Sequence, residues 1–407
     1  MVIKSFRGAK DLFGFDEAVS ILVGPNGSGK SSLLLDLAKH SRHRRDVTII
    51  CNTPHDRFVG LRNVKRISAG RSDQSPSKVV KRAVADSLGE TGSEYYQISA
   101  ILDHCGYKAR FGFAIEFARK PKLMPDELSR AILEYLDRNR WARRLNLPDK
   151  NQVVEMAVSY LRRYERGEEI WIDAGSSAYE FSRTREFASV LQLETILRRL
   201  GVIRGIRVLL QRKSDGVEID MEHASSGQLA LISSMLFLVT NVGRDPLIII
   251  DEPENSLHPS WQRDYVEKIL VAMNFRNANV IIATHAPLVV TGALASSPDL
   301  VSIFEVRDGT PKRLDMDAAH ILPNSIEAVL WRAFEVITPA NHFVSERIVD
   351  EISLFEKGKV PKDQVLSLIK RMEAESFDER QKSFFEAVRG LVSKIEIKLA
   401  EGPSDDE

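Results

Sequence analysis

Apolar residues fall into three patterns along the chain. The first is a short unbroken run, seen at Val47-Thr48-Ile49-Ile50-Cys51, Leu247-Ile248-Ile249-Ile250 and Asn279-Val280-Ile281-Ile282-Ala283. Such runs, separated by helical stretches, predict parallel strands covered on both faces. A similar run over 18–23, preceded by a strand pattern over 2–12, leads into a helix that should end near Ala38. The second pattern is helical spacing. Leu128, Ile132 and Leu136 follow a helix start at Pro125-Asp126-Glu127, and 152–164 and 185–200 read the same way. The stretch 93–205 is therefore expected to be mostly helical, and 56–80 irregular and basic. The third pattern is a strand next to a turn. Lys213-Ser214-Asp215-Gly216 before Val217-Glu218-Ile219-Asp220 predicts a hairpin over 205–221, and Asp308-Gly309 closes another.

The C-terminal part, 324–400, reads as helical. One stripe holds Phe384, Val388, Leu391, Val392, Ile395 and Leu399, and a second holds Val365, Leu368, Ile369 and Met372. Each could pack inside the chain or dock a second protein. Residues 401–407 are acidic and expected to be disordered.

Composition narrows the class. The chain has 407 residues, enough for two or three domains, with 43% hydrophobic and 28% charged residues, as in soluble proteins. Lys plus Arg equals Asp plus Glu at 57 each, so net charge does not point to nucleic acid. A local patch remains: Arg138, Arg140, Arg143 and Arg144 surround Trp141, with Arg162, Arg163 and Arg166 further on. It could contact DNA, or be a solvated face interleaved with Glu134, Asp137 and Glu165. Two cysteines, Cys51 and Cys105, build neither a disulfide framework nor a structural zinc site, which points to the reducing cytoplasm. The first residues read as a strand rather than a signal peptide, and no run reaches the ~20 apolar residues of a membrane span.

Chemistry enters at Gly24-Pro25-Asn26-Gly27-Ser28-Gly29-Lys30-Ser31-Ser32. A strand stops, glycines turn the backbone, and a helix begins, which is a P-loop in its required context. Its N–H groups and the helix N-terminus suit a phosphate chain. Lys30 is placed for the β- and γ-phosphates and Ser31 for Mg²⁺. Three later pieces add to it. Leu247–Ile250 ends in Asp251-Glu252, giving a metal carboxylate (Asp251) and a group to polarise water (Glu252). Asp251 is expected at the end of a strand beside the P-loop strand. Ser225-Ser226-Gly227-Gln228 opens a helix and could face an anion. His285 follows the strand 279–283.

The order P-loop, Ser225–Gln228, Asp251-Glu252, His285 resembles an ABC-type ATPase head. The resemblance covers about 1–60 and 205–310. It implies an α/β fold, a mixed sheet carrying the P-loop, with an inserted helical lobe and a helical C-terminal region. Divided that way, 1–60 and 206–320 are the two halves of the ATPase domain, 61–205 the lobe, 321–400 the C-terminal region and 401–407 a tail. The resemblance further implies ATP and Mg²⁺ as ligands and two copies sandwiching the nucleotide. Ser225, Ser226, Gly227 and Gln228 would complete the partner's site, and His285 would contact the γ-phosphate. Ala224 and Ser226 depart from the usual signature, which has leucine and glycine there. Asn255-Ser256-Leu257-His258-Pro259 resembles the D-loop at the dimer seam. Asn52, His55 and Gln97 compete for the role of the usual glutamine, and Phe6, Arg7 and Phe13 for adenine stacking.

The Glu-Pro-Glu-Asn-Ser-Leu-His-Pro text, with the lobe, resembles the soluble branch that includes overcoming-lysogenization-defect (OLD) ATPases. With the 324–343 segment, the layout resembles the ATPase subunit of Septu-type and retron-associated anti-phage systems. That implies a separate HNH nuclease docked on the C-terminal helices and no membrane partner. The rivals are a DNA-repair or SMC-like ATPase and an OLD-like nuclease acting alone. The last would need a TOPRIM site, but Glu305 and Asp315-Met316-Asp317 are too closely spaced to build one.

Overall fold

Each unbroken apolar run is a strand buried along its whole length in the computed structural model of the chain. It describes residues 19–53, 55–68, 75–89, 95–119, 125–139, 149–173, 181–243, 245–273, 277–314, 329–330, 333–334, 342–374 and 379–401. Numbered along the chain, the main sheet holds β1 (Val19–Val23), β2 (Val47–Cys51), β3 (Lys65–Ser68), β8 (Leu247–Asp251), β9 (Asn279–Ala283), β10 (Val301–Arg307) and β11 (Thr310–Arg313). Their spatial order is β11-β10-β1-β9-β8-β2-β3. All neighbours are parallel except the β10–β11 hairpin.

Alternation splits each strand between two layers. Leu22, Ile49, Ile249 and Ile281 meet Leu33, Leu34 and Ala38 of helix α1 (Lys30–Ser41). Ile21, Ile50, Ile248, Ile250 and Ile282 point to the other side, into the large core with α7 (Ser226–Asn241), α8 (Pro259–Ala272) and α9 (Pro287–Ser296). Because the strands are parallel, the ends of β1, β2, β8 and β9 emerge on one edge.

Two expectations need correction here. β8 does not lie beside β1, because β9 pairs with both and separates them. Asp251 is level with Ala283, and Ala283 with Leu22, so Asp251 stands two inter-strand spacings, about 10 Å, from the P-loop strand. Helix α1 spans the gap by running against β8 and β9. Second, 56–80 is not wholly irregular: it holds β3 and the start of α2 (Pro76–Gly89).

The stretch 93–205 is also less helical than its pattern suggests. It contains α3 (Tyr95–His104), α4 (Pro125–Arg138), α5 (Lys150–Arg163) and α6 (Phe181–Arg199), but also β4 (Tyr107–Phe117) and β5 (Glu169–Asp173). These pair antiparallel with β6 (Ile203–Arg212) and β7 (Glu218–Asp220) in the order β5-β4-β6-β7. The reason β4 is hard to read is physical. Phe111 through Ile115 are buried on both faces and the pairing slips between Tyr107 and Phe111, so the period-two signal is lost. Phe113 packs on Phe187 of α6, ring centroids 5.2 Å apart.

The C-terminal stripes meet each other. Helices His342–Glu356, Lys362–Ala374 and Glu379–Glu401 share a core of Ile348, Ile352, Phe355, Val365, Ile369, Met372, Phe385, Val388 and Val392. The stripes are thus largely consumed inside the chain rather than left as a free docking face. Leu391 departs from its stripe and is exposed, while the side chains of Phe384 and Leu399 lie outside the described residues. No described helix is long and apolar enough to cross a membrane.

Candidate nucleotide site

The loop after β1 is shaped by its glycines. Gly29 has φ 96°, and a Cβ there would stand 2.9 Å from Gly309 Cα. The β10–β11 turn therefore lies against the loop, and the Gly309 N–H donates to Ser28 O at 2.8 Å. Lys30 curls back, its Nζ donating to Gly24 O at 2.8 Å and Pro25 O at 3.1 Å. Burial lowers its pKa, while Glu252, Asp251 and Glu254 pull it back up. Ser28 Oγ is buried without a hydrogen-bond partner among the described residues, an orphan that a phosphate oxygen would satisfy. Ser32 Oγ accepts from Arg57 Nη1 at 3.0 Å. Gly24 is buried, whereas Pro25, Asn26 and Gly27 are exposed at the loop tip.

Ser31 and Asp251 meet despite their distance in sequence. Ser31 Oγ donates to Asp251 Oδ1 at 3.0 Å. Asp251 is only 1% exposed, and burial pushes its carboxyl up to about 6, with Glu252 and Glu254 adding to the rise and Ser31 opposing it. Among the described residues no three His, Cys, Asp or Glu side chains cluster as a metal site. One carboxylate and one hydroxyl suit Mg²⁺, a hard cation that keeps several waters and shares phosphate oxygens.

Glu252 follows with φ 51°, in the left-handed region. Its N–H donates to Ala283 O at 2.9 Å, anchoring the turn to β9. Asn255 Nδ2 donates to Glu252 Oε2 at 3.0 Å, and His285 Nε2 stands 3.6 Å from Oε1. Burial and Lys30 hold the His285 imidazole below its ordinary pKa, against Glu252. The imidazole and the Glu252 carboxyl group thus sit side by side at the strand ends.

Ser225 to Gln228 form a second cluster. Ser225 caps α7, its Oγ accepting from the Gln228 N–H at 3.2 Å in a reciprocal capping box. Gln228 also reaches the lobe: Tyr107 OH donates to its Oε1 at 2.8 Å, and its Nε2 donates to Cys105 O at 3.1 Å. Gly227 is buried where the Ser256 backbone crosses it, and Ser226 is exposed beside it. The structure brings this cluster to Asn255-Ser256 and to the lobe. A cleft of about 340 Å³ there is lined by Asn52, Ser68, Ser226, Ser234, Asn255 and Ser256.

Of the three glutamine stand-ins, Asn52 reaches the strand ends. Its Nδ2 donates to Pro253 O at 3.4 Å, and its carbonyl accepts from Asn255 at 3.3 Å. His55 is exposed, and Gln97's side chain, like Phe6, Arg7 and Phe13, lies outside the described residues. Sequence reasoning passed over Arg57 and Glu254. Glu254 was detectable as a third acid following Asp251-Glu252, whereas Arg57 carried no signal beyond general basicity.

The Cys105 thiol is pushed up to about 12 by burial, so it stays protonated and unlike a metal ligand. In the lobe, Arg138 pairs with Glu134 at 3.2 Å and Arg166 lies over the Phe117 ring at 5.6 Å. The Arg138–Glu134 pair is of the interleaved kind. Arg140, Trp141, Arg143 and Arg144 lie outside the described residues.

Residues 112–291 match the family described as "AAA domain, putative AbiEii toxin, Type IV TA system". That stretch of the chain is similar to an AAA-family domain. The match is less than half of the chain and takes in Ser225–Gln228, Asp251-Glu252 and His285. Among curated proteins, "Retron Vc95 probable ATPase" of Vibrio cholerae serotype O1 biovar El Tor is 24% identical over 178 residues, 39% of this chain and 28% of that protein. "Protein ea59" of Escherichia phage lambda is 28% identical over 131 residues, 31% of this chain and 25% of that protein. The chain thus spans little more than a quarter of the curated relatives' length in these matches. Solved structures overlay at 14% identity. An ATP-binding cassette of an ABC transporter in its ADP conformation covers 73% of this chain and 79% of its own at TM-score 0.25. The Smc head domain bound to ScpA from Pyrococcus furiosus covers 74% and 90% at TM-score 0.29.

Proposed function

We propose that the protein binds and hydrolyses ATP at the edge formed by residues 24–32, Asp251, Glu252 and His285. The observation that carries this is the Ser31 Oγ–Asp251 contact of 3.0 Å. A P-loop hydroxyl and a buried strand-end carboxylate held together are what a magnesium–nucleotide site requires. Ser31 and Asp251 would hold Mg²⁺, which would neutralise charge on the β- and γ-phosphates. Lys30, released from Gly24 and Pro25, would reach the same phosphates. Glu252, steadied by Asn255, would take the proton of an attacking water, and His285 would donate to the γ-phosphate oxygens. Water attacks the γ-phosphorus in line and the bond to the β-phosphate oxygen breaks, giving ADP and phosphate.

The finer reading is a cytoplasmic, dimerising ATPase subunit of an anti-phage system. Ser225 to Gln228 would complete the partner's site, and ATP would regulate a separate HNH-type nuclease through the C-terminal helices. The likeness to a retron ATPase supports it. The test is phosphate release by the full chain with ATP and Mg²⁺. Activity lost in Ser31→Ala and Asp251→Asn supports the site, and activity equal to wild type in both removes it. Co-purification with the neighbouring gene product, if a nuclease, tests the partner.

A further inference from the structure

Glu254 has no role in the chemistry above, yet it is the most committed acid near the site. Its Oε2 accepts from Thr284 Oγ1 at 2.8 Å, and its Oε1 accepts from the His285 N–H. The segment it holds has few other anchors. β9 ends at Ala283, and the Thr284 N–H donates to Leu22 O at 3.1 Å. The next helix begins at Pro287, and its cap, Ala286, has no side chain to offer; the Ala286 N–H is met instead by Thr284 Oγ1 at 3.0 Å. Glu254 thus satisfies 284 directly, 285 directly and 286 through the threonine. It lies on the same turn as Glu252, whose carboxylate stands 3.6 Å from His285 Nε2. One turn therefore presents Glu252 toward the imidazole and grips the imidazole's backbone with Glu254.

We propose that Glu254 is a positioning residue that clamps Thr284 and His285 to the Asp251–Glu252 turn, fixing the imidazole in register with Glu252. This rests on the ATPase reading above. Both carboxylate oxygens accept in the wild-type chain. Glutamine keeps one, and the rotatable threonine hydroxyl can accept from its amide, so Glu254→Gln should be mild. Alanine leaves the His285 N–H without an acceptor.

The experiment is a double-mutant cycle on the full chain, read as single-turnover ATP hydrolysis and separately as ATP affinity. His285→Ala should slow hydrolysis about 10²-fold. Glu254→Ala should slow it at least about tenfold with ATP affinity unchanged, and Glu254→Gln should retain most of the rate. The pair Glu254→Ala with His285→Ala should be no slower than His285→Ala alone, because the clamp acts only through the histidine. Thr284→Val, which keeps shape and removes the hydroxyl that joins Glu254 to the Ala286 N–H, gives the same reading if Glu254→Ala does not fold. Additive losses, or equal losses in affinity and rate, overturn the proposal. Glu252→Gln separates the two levels. If it hydrolyses at the wild-type rate, the ATPase reading falls and the clamp with it. If it is inactive while the cycle is additive, only the clamp falls.

Discussion

A Cβ placed on Gly227 would stand 2.2 Å from the carbonyl oxygen of Ser256. The first turn of α7 and the loop that follows Asp251-Glu252 are therefore in direct backbone contact, and neither can shift without the other. Gly227→Ala must push them apart. It should cost about 1–3 kcal/mol of stability, as overpacking does. On the proposed reading it should lower ATP turnover while leaving nucleotide binding at residues 24–32 intact. Thermal melting and calorimetric titration with ATP separate the two effects.

Asp251 gives a pH prediction with a definite sign. Its carboxyl titrates near 6 in the folded chain against an ordinary 3.8, because it is buried. The folded state therefore holds the proton to higher pH than the unfolded state. Without divalent cations, stability from this group is present below pH 4 and lost as pH rises through about 6. A shift of that size corresponds to about 3 kcal/mol. Asp251→Asn should flatten the melting-temperature profile between pH 4 and 7 and raise stability at neutral pH. A steeper profile in the variant would contradict this.

The lobe reaches the α7 turn through Tyr107 and Cys105, both hydrogen-bonded to the Gln228 side chain. Tyr107→Phe removes a 2.8 Å hydrogen bond to Gln228 and should cost about 1 kcal/mol in chemical denaturation. If Ser225 to Gln228 complete a second copy's site, the same change should weaken ATP-dependent self-association on size exclusion.

How much of this was legible in the sequence depended on where the signal was carried. The Ser31–Asp251 pairing was foreseeable because Asp251 ends one unbroken apolar run and Ser31 opens the helix that follows another, and parallel strands bring such ends to one edge. The strand order was not, since equal apolar runs say nothing about which neighbours pair; β9 taking the place beside β1 is a property of side-chain fit. β4 was hidden because burial on both faces erased its alternation, and its sheet was missed with it. The C-terminal stripes were visible as stripes, but two apolar faces on neighbouring helices read the same whether they meet each other or a second protein. Arg57 and the Glu254 clamp depend on loop geometry, which no spacing rule encodes.

The lobe also carries a largely buried ion pair whose rupture is measurable. Lys81 Nζ donates to Glu194 Oε1 at 2.8 Å and to Ile206 O at 2.9 Å, and the Ile206 N–H donates to the same carboxylate. Lys81→Met strands the glutamate and should destabilise the chain by about 3–5 kcal/mol. Adding Glu194→Leu should recover part of that loss in urea unfolding. No recovery would mean that lost packing, not the orphaned charge, dominates.

The proposed chemistry turns on Glu252, held 3.6 Å from His285 and 3.0 Å from Asn255. Glu252→Gln keeps shape and the phosphate-facing groups but removes the base. Single-turnover hydrolysis beside ATP binding is the most direct measurement. The account predicts unchanged or tighter ATP binding with hydrolysis slowed by about 10²-fold or more. Hydrolysis at the wild-type rate with ATP bound would contradict it.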